Sequence, residues 1–99
     1  MIKILAIVVT YNGMEWIDRC LDSLLCSTLR PDVFVVDNGS TDGTQEYVHS
    51  HFPEVFFRQN ETNLGFGRAN NIGLRFAIEG GYSHVYLMNQ DAWVEPDTI

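Results

Sequence analysis

Val33-Phe34-Val35-Val36-Asp37-Asn38-Gly39-Ser40-Thr41-Asp42-Gly43-Thr44, residues 33–44, is the stretch on which the fold turns. Four apolar residues, three of them valine, run without a polar interruption into Asp37. An unbroken apolar run of this kind suits a strand covered on both faces, as in a parallel sheet. The cluster Asn38-Gly39-Ser40-Thr41-Asp42-Gly43 is a turn, because Gly and Asn accept backbone angles that other residues resist. A carboxylate at the carboxyl end of a buried parallel strand stands where open α/β sheets bind ligands. Asp37 is therefore the first candidate site residue.

The neighbouring segments repeat the same alternation. Ile2 to Thr10 reads as a central strand, apolar on both faces after Lys3, and Tyr11-Asn12-Gly13 ends it. Met14 to Ser27 carries Met14, Ile17, Leu21, Leu24 and Leu25 at helical spacing. Pro31 and Asp32 close that connection. Thr41 to His51 is a second helix, with Thr41 or Asp42 as its N-cap, and Pro53 stops it. Val55-Phe56-Phe57 is a short third strand, and Gln59 to Gly67 is a polar loop. Arg68 to Glu79 is a third helix that Gly80-Gly81 terminates. Ser83 to Met88 is a fourth strand running into Asn89-Gln90-Asp91, and Pro96-Asp97 opens a further helix. The order β-α-β-α-β-α-β requires a mostly parallel sheet with flanking helices. An end at the opening of a helix suggests that the 99 residues are the N-terminal part of a longer domain.

Composition narrows the partners. Thirteen acidic and six basic residues give a net charge of −7, which argues against nucleic acid. An anionic ligand would need a cation or backbone donors. Cys20 and Cys26 lie six apart, about 240° around a helix, a geometry that does not favour a disulfide between them. A reduced, cytosolic setting follows. No apolar run reaches bilayer-spanning length. The three histidines have no i, i+4 partner and read as packing or surface groups. Trp16 reads as a core residue and Trp93 as a rim residue.

In a parallel sheet the strand ends share one rim. That rim collects Thr10, Tyr11 and Asn12, then Asp37 and Asn38, then the loop from Asn60 to Gly67, then Asn89 and Asp91. Tyr11 alone would be a packing residue and Asp42 alone a helix cap; their joint occurrence at every strand end points to a ligand crevice. Asp37 suits a base or ribose donor. Asp91 beside Asn89 offers hard oxygen ligands for Mg²⁺ or Mn²⁺, with diphosphate oxygens completing the shell. Such a cation would reconcile an acidic chain with an anionic substrate. A receiver-like domain would want paired acids after the first strand, where Tyr11-Asn12 stands. A dinucleotide fold would want GxGxxG there, and Gly65 and Gly67 follow the third strand instead.

Four ordered motifs, Val9-Thr10-Tyr11-Asn12, Val36 to Thr44, Asn63 to Gly73 and Leu87 to Ala92, closely resemble family 2 glycosyltransferases, most strongly the rhamnosyltransferase-like bacterial branch. The likeness covers essentially the whole chain. It implies the Rossmann-like nucleotide-sugar-binding half of a GT-A fold. By that analogy Thr10 and Tyr11 line the nucleoside pocket, Asp37 hydrogen-bonds the base, and Asn12 and Asn38 join them in the nucleotide-sugar-binding set. Asn63, Gly65, Asn70 and Asn71 shape the diphosphate and sugar side. Asn89 and Asp91 stand in the DXD-like motif, with Asp91 as metal ligand. Asn89 replaces the motif's first acid, keeping an oxygen and losing a charge. The implied reaction moves a sugar, with inversion, from a UDP, dTDP or GDP donor to a glycan or lipid-linked acceptor in cell-surface polysaccharide synthesis. The implied setting is the cytoplasm or the inner face of the membrane, with peripheral association. Glu95 and Asp97 sit too near the metal motif to serve as the base, which is expected beyond Ile99. The alternative is a non-catalytic nucleotide-sugar-binding module.

Overall fold

A computed structural model describes residues 3–94. Four strands, β1 (Ile4–Thr10), β2 (Asp32–Asp37), β3 (Phe56–Gln59) and β4 (His84–Asn89), alternate with three helices. The helices are α1 (Ile17–Leu25), α2 (Thr44–His51) and α3 (Phe66–Glu79). The strands form one sheet in the order β3-β2-β1-β4, every pair parallel. The expected α/β class and parallel sheet are thus present. The further helix expected at Pro96-Asp97 lies outside the described residues.

The register explains the apolar runs. Even-numbered residues of β1 (Ala6, Val8) face the same layer as Val33, Val35 and Met88, where Ile17, Cys20, Leu21 and Leu24 of α1 and Val48 of α2 cover them. Odd-numbered Leu5, Ile7 and Val9 face the other layer with Phe34 and Val36, beneath Ala69 and Ala77 of α3. Leu5 through Val8 are completely buried, as a central strand between two helical layers requires. The small stripe Ala69, Gly73, Ala77 lets α3 lie close on β1. A Cβ built at Gly73 would come within 2.5 Å of Ile7 Cγ2, and Ile7 is itself fully enclosed. Gly73→Ala is therefore expected to cost about 1–3 kcal/mol as an overpacked core, despite the better helix propensity of alanine. Urea denaturation checks this, and a midpoint equal to the parent's would mean that α3 does not press on Ile7.

Several element boundaries differ from expectation. α1 begins at Ile17, because the Gly13 carbonyl accepts from the N–H groups of both Trp16 and Ile17 and turns Met14–Trp16 into a separate bend. α2 begins at Thr44 after Gly43 in the left-handed region (φ 92°), so neither Thr41 nor Asp42 occupies the cap position. Asp42 acts from one residue further back, accepting from Thr44 N–H at 3.1 Å and Thr44 Oγ1 at 2.5 Å. α3 starts two residues early, at Phe66, and Asp32 belongs to β2.

β1, β2 and β3 step outward in one direction, and β4 then joins the opposite side of β1. The switch in strand order falls between β1 and β4, where a crevice opens at the carboxyl ends.

Candidate functional site

A cleft of about 360 Å³ occupies that switch point. Tyr11 from the end of β1, Asn38 after β2, Asn63 and Phe66 around the start of α3, and Asn89, Gln90 and Asp91 after β4 line it, with Val9 and Trp16. Five expected residues, Tyr11, Asn38, Asn63, Asn89 and Asp91, therefore meet in one place. Three aromatic rings face solvent there: Tyr11 is 47% exposed, Trp16 43% and Phe66 55%. Exposed rings around amides and a carboxylate suit a ligand with a flat apolar part and a polar, anionic part. Trp16, expected in the core, is a cleft residue because it precedes the first turn of α1.

Thr10 and Asp37 lie beneath this surface. Both are fully buried. Asp37 Oδ1 accepts from Thr10 Oγ1 at 2.5 Å and from Ser40 Oγ at 2.6 Å. Its Oδ2 accepts from Ser40 N–H and Gln59 Nε2, each at 2.8 Å. A carboxylate has about four lone-pair sites, and all four are engaged within the protein. In this arrangement Asp37 joins the ends of β1, β2 and β3, and it reaches the cleft only through the loop that it holds.

That loop is braced from both sides. Asn12, in the left-handed region (φ 48°), donates its N–H to Ser40 Oγ and accepts from Thr41 N–H, each at 2.8 Å. Asp42 Oδ2 accepts from Met14 N–H at 3.1 Å. Burial opposes the Asp42 charge, but the bonds from the Thr44 hydroxyl and from the Met14 and Thr44 N–H groups outweigh it and hold the carboxyl below its usual range. Asn38 is almost fully buried; its Oδ1 accepts from Asn60 Nδ2 (3.1 Å) and Leu64 N–H (3.3 Å), and its Nδ2 donates to the Gly65 carbonyl (3.3 Å). Asn63 Oδ1 accepts from Gly65 N–H at 2.8 Å, fixing the turn into α3. Asn70 is buried in the α3 face. Asn71 is not in the cleft; it lines a separate trough between α3 and β3.

Gln90 escaped the sequence reading. Its Oε1 accepts from Tyr11 N–H at 2.9 Å and its Nε2 donates to the Tyr11 carbonyl at 3.1 Å, so one amide clasps both sides of the Tyr11 residue. Gly13 leaves room for it, since a Cβ there would overlap Gln90 Oε1. The clasp fixes the β1 end against the β4 end across the switch point. The signal available was the amide's place between two cleft residues, but its partner is known only once β4 is seen beside β1.

Asp91 is exposed, and no hydrogen bond engages its carboxylate among the described residues. Asn89 shares its wall of the cleft. No group of three His, Cys, Asp or Glu side chains gathers for a metal among the described residues. One free carboxylate with an amide oxygen fits the manner in which Mg²⁺ is held by one or two protein oxygens, waters and substrate phosphates. It does not fit an all-protein cage.

A second small cleft, about 190 Å³, adjoins Asp91 and is lined by Glu15, Trp16, Arg19, Ala92 and Trp93. The Arg19 guanidinium stacks on Trp93, 3.5 Å from the ring centroid, and keeps that half-exposed ring at the rim. Cys20 lies below, with Sγ 3.7 Å from the Asn89 carbonyl. Burial, with the Asp91 charge adding to it, pushes the Cys20 thiol up to about 12. Cys20 is buried and Cys26 exposed, and both are free. Alkylation with iodoacetamide at neutral pH is therefore expected to mark Cys26 alone. Mass spectrometry reads this, and rapid double labelling would contradict the buried position of Cys20.

A parallel sheet with a polar, aromatic-lined cleft at its switch point, closed by an Asn-Gln-Asp end on β4, is the architecture of a Rossmann-like α/β domain of the GT-A type. The chain belongs to glycosyl transferase family 2, whose family profile matches residues 5–99. It is 41% identical over 66 residues to the N-acetylglucosaminyl-diphospho-decaprenol L-rhamnosyltransferase of Mycobacterium tuberculosis, covering 66% of this chain and 22% of that protein. Among solved structures it resembles S. aureus TarS (residues 1–349) in complex with UDP: TM-score 0.81, 28% identity, 98% of this chain and 30% of that one. It also resembles the mannosyltransferase PcManGT of Pyrobaculum calidifontis in complex with GDP-Man and Mn²⁺: TM-score 0.73, 25% identity, 92% of this chain and 28% of that one. The chain spans between 14% and 41% of the length of the first curated relatives it matches. Among the described residues no helix is long and apolar enough to cross a membrane.

Proposed function

We propose that residues 1–99 form the donor-binding half of an inverting glycosyltransferase that takes a nucleoside-diphosphate sugar. The observation that carries this reading is the convergence of Tyr11, Asn38, Asn63, Asn89 and Asp91 on the β1/β4 switch-point cleft. The nucleoside lies against Tyr11 and the Asn38 loop, which the Thr10-Asp37-Ser40 bonds and Asn12 hold in shape. Asn63, Gly65 and the buried Asn70 position the start of α3 beside the diphosphate and sugar. Asn71 supports that helix from its outer side. Asp91 and Asn89 would hold Mg²⁺ or Mn²⁺, which supplies positive charge to the departing diphosphate. The likeness to a protein solved with GDP-Man and Mn²⁺ supports the cation.

In the whole protein, the acceptor hydroxyl attacks the anomeric carbon from the face opposite the nucleoside diphosphate, so the configuration inverts. The base that takes its proton is a carboxylate from outside these 99 residues. The acceptor is a glycan or a lipid-linked sugar at the inner face of the membrane. The relative named for a decaprenol-linked substrate supports the lipid-linked form.

A thermal-shift and calorimetry panel of UDP-, dTDP- and GDP-sugars, with and without Mn²⁺, tests the reading. The expected result is one preferred base and a Mn²⁺-dependent gain in affinity. Stabilisation by none of the donors would overturn it. Donor binding without product, when a membrane acceptor extract is added to the whole protein, would favour the non-catalytic module.

A further inference from the structure

Half of the chain's six basic residues line one trough between α3 and β3. Arg58 projects from edge strand β3 on the α3 side of the sheet, in register with Val36. Arg68 and Arg75 stand on the outer stripe of α3, seven residues and about two turns apart. The trough, about 450 Å³, has a floor of Phe34, Ile72 and Phe76. The ion pair found among the described residues joins Arg30 to Glu54, and no carboxylate of the described residues lies within 4 Å of Arg58, Arg68 or Arg75. Glu79 is the one acid on the trough wall. Two apolar side chains stand exposed beside these cations: Ile78, 80% exposed, on the same stripe of α3, and Phe56, 45% exposed, packed on Phe76 with ring centroids 5.0 Å apart.

A chain of net charge −7 that gathers three guanidinium groups, with no ion-pair partner among the described residues, beside exposed apolar groups on one face meets least repulsion from an anionic surface through that face. We infer that the β3/α3 face docks on anionic phospholipid, with Arg58, Arg68 and Arg75 receiving headgroup phosphates and Phe56 and Ile78 entering the interface. Arginine forks match phosphate oxygens, and flanking apolar groups distinguish a lipid surface from a dissolved anion. The inference rests on the membrane setting of the reading above, and it leaves the switch-point cleft free to bind donor.

Co-sedimentation of the full chain with phosphatidylcholine vesicles, with or without phosphatidylglycerol, tests it. Binding is expected only with phosphatidylglycerol and is expected to fade at high salt. Each arginine contributes about fivefold, so R58Q/R68Q/R75Q loses roughly 10²-fold in partitioning. These side chains are exposed, so the variant should melt like the parent and keep its nucleoside-diphosphate affinity by calorimetry. Equal sedimentation of parent and variant would overturn the inference. So would arginine-dependent binding of inorganic pyrophosphate or polyglutamate without vesicle binding, which would make the trough a soluble-anion or acidic-protein site. Loss of nucleotide binding with vesicle binding intact would instead count against the donor reading alone.

Discussion

Asp91→Ala is expected to abolish the Mn²⁺-dependent part of nucleoside-diphosphate binding while leaving the melting midpoint where it was. The two halves of that expectation have separate causes. Asp91 is exposed and its carboxylate is engaged by no hydrogen bond among the described residues, so deleting it orphans no described donor and opens no cavity. Yet among the described residues it is the one carboxylate lining the switch-point cleft, whose other polar side chains are amides, a phenol and an indole. With a chain charge of −7, a diphosphate arriving there without a cation meets net repulsion. Interactions with a charged group are worth about 1.5–3 kcal/mol, so the loss is roughly 10- to 150-fold in affinity when Mn²⁺ is present. In metal-free buffer the same substitution should leave binding unchanged or slightly improved, because a repulsive charge has gone. Asn89→Asp restores a second acid and should move in the opposite direction, strengthening Mn²⁺ dependence. Calorimetric affinities of Asp91→Ala equal to the parent's in both buffers would remove Asp91 from the metal site.

Much of this was legible before any coordinates, and the misses have physical reasons. The apolar run ahead of Asp37 announced a strand covered on both faces because parity does not matter when both layers are dry. The strand-end polar residues followed from the parallel topology. What a linear reading could not supply was the neighbour across the sheet. Gln90 matters because β4 lies next to β1, and only that adjacency puts its amide against Tyr11. Asn70 and Asn71 look equivalent in the sequence, but they point about 100° apart on α3. Ala69, Gly73 and Ala77 face the sheet, which buries Asn70 and turns Asn71 outward with Arg68 and Arg75. Trp16 looked like a core residue on a stripe extended back to Met14, but the Gly13 carbonyl bends the chain before α1 begins.

Asp37→Ala is expected to cost about 3 kcal/mol or more of folding stability, which corresponds to a fall of at least roughly 12 °C in melting temperature for a domain of this size. The sequence pointed to this aspartate as a ligand contact, but four internal donors already occupy its oxygens. Removing the carboxylate deprives the Thr10 and Ser40 hydroxyls and the Ser40 N–H of this acceptor and leaves the Gln59 amide only the Asn60 carbonyl, with Thr10 itself fully buried. The Gln59 side chain is already strained for partners, since its Oε1 is buried and unbonded among the described residues. The loop from Asn38 to Thr41 would then lose the anchor that aims Asn38 into the cleft, so donor affinity should fall together with stability. Asp37→Asn separates the two roles. It keeps one acceptor oxygen but sets an NH₂ group against donors, so it should recover part of the stability and part of the binding in proportion. An Asp37→Asn protein that melts with the parent yet binds no donor would show that the carboxylate itself meets the ligand. An Asp37→Ala protein that melts within a degree or two of the parent would mean that the buried network does not hold the three strand ends together.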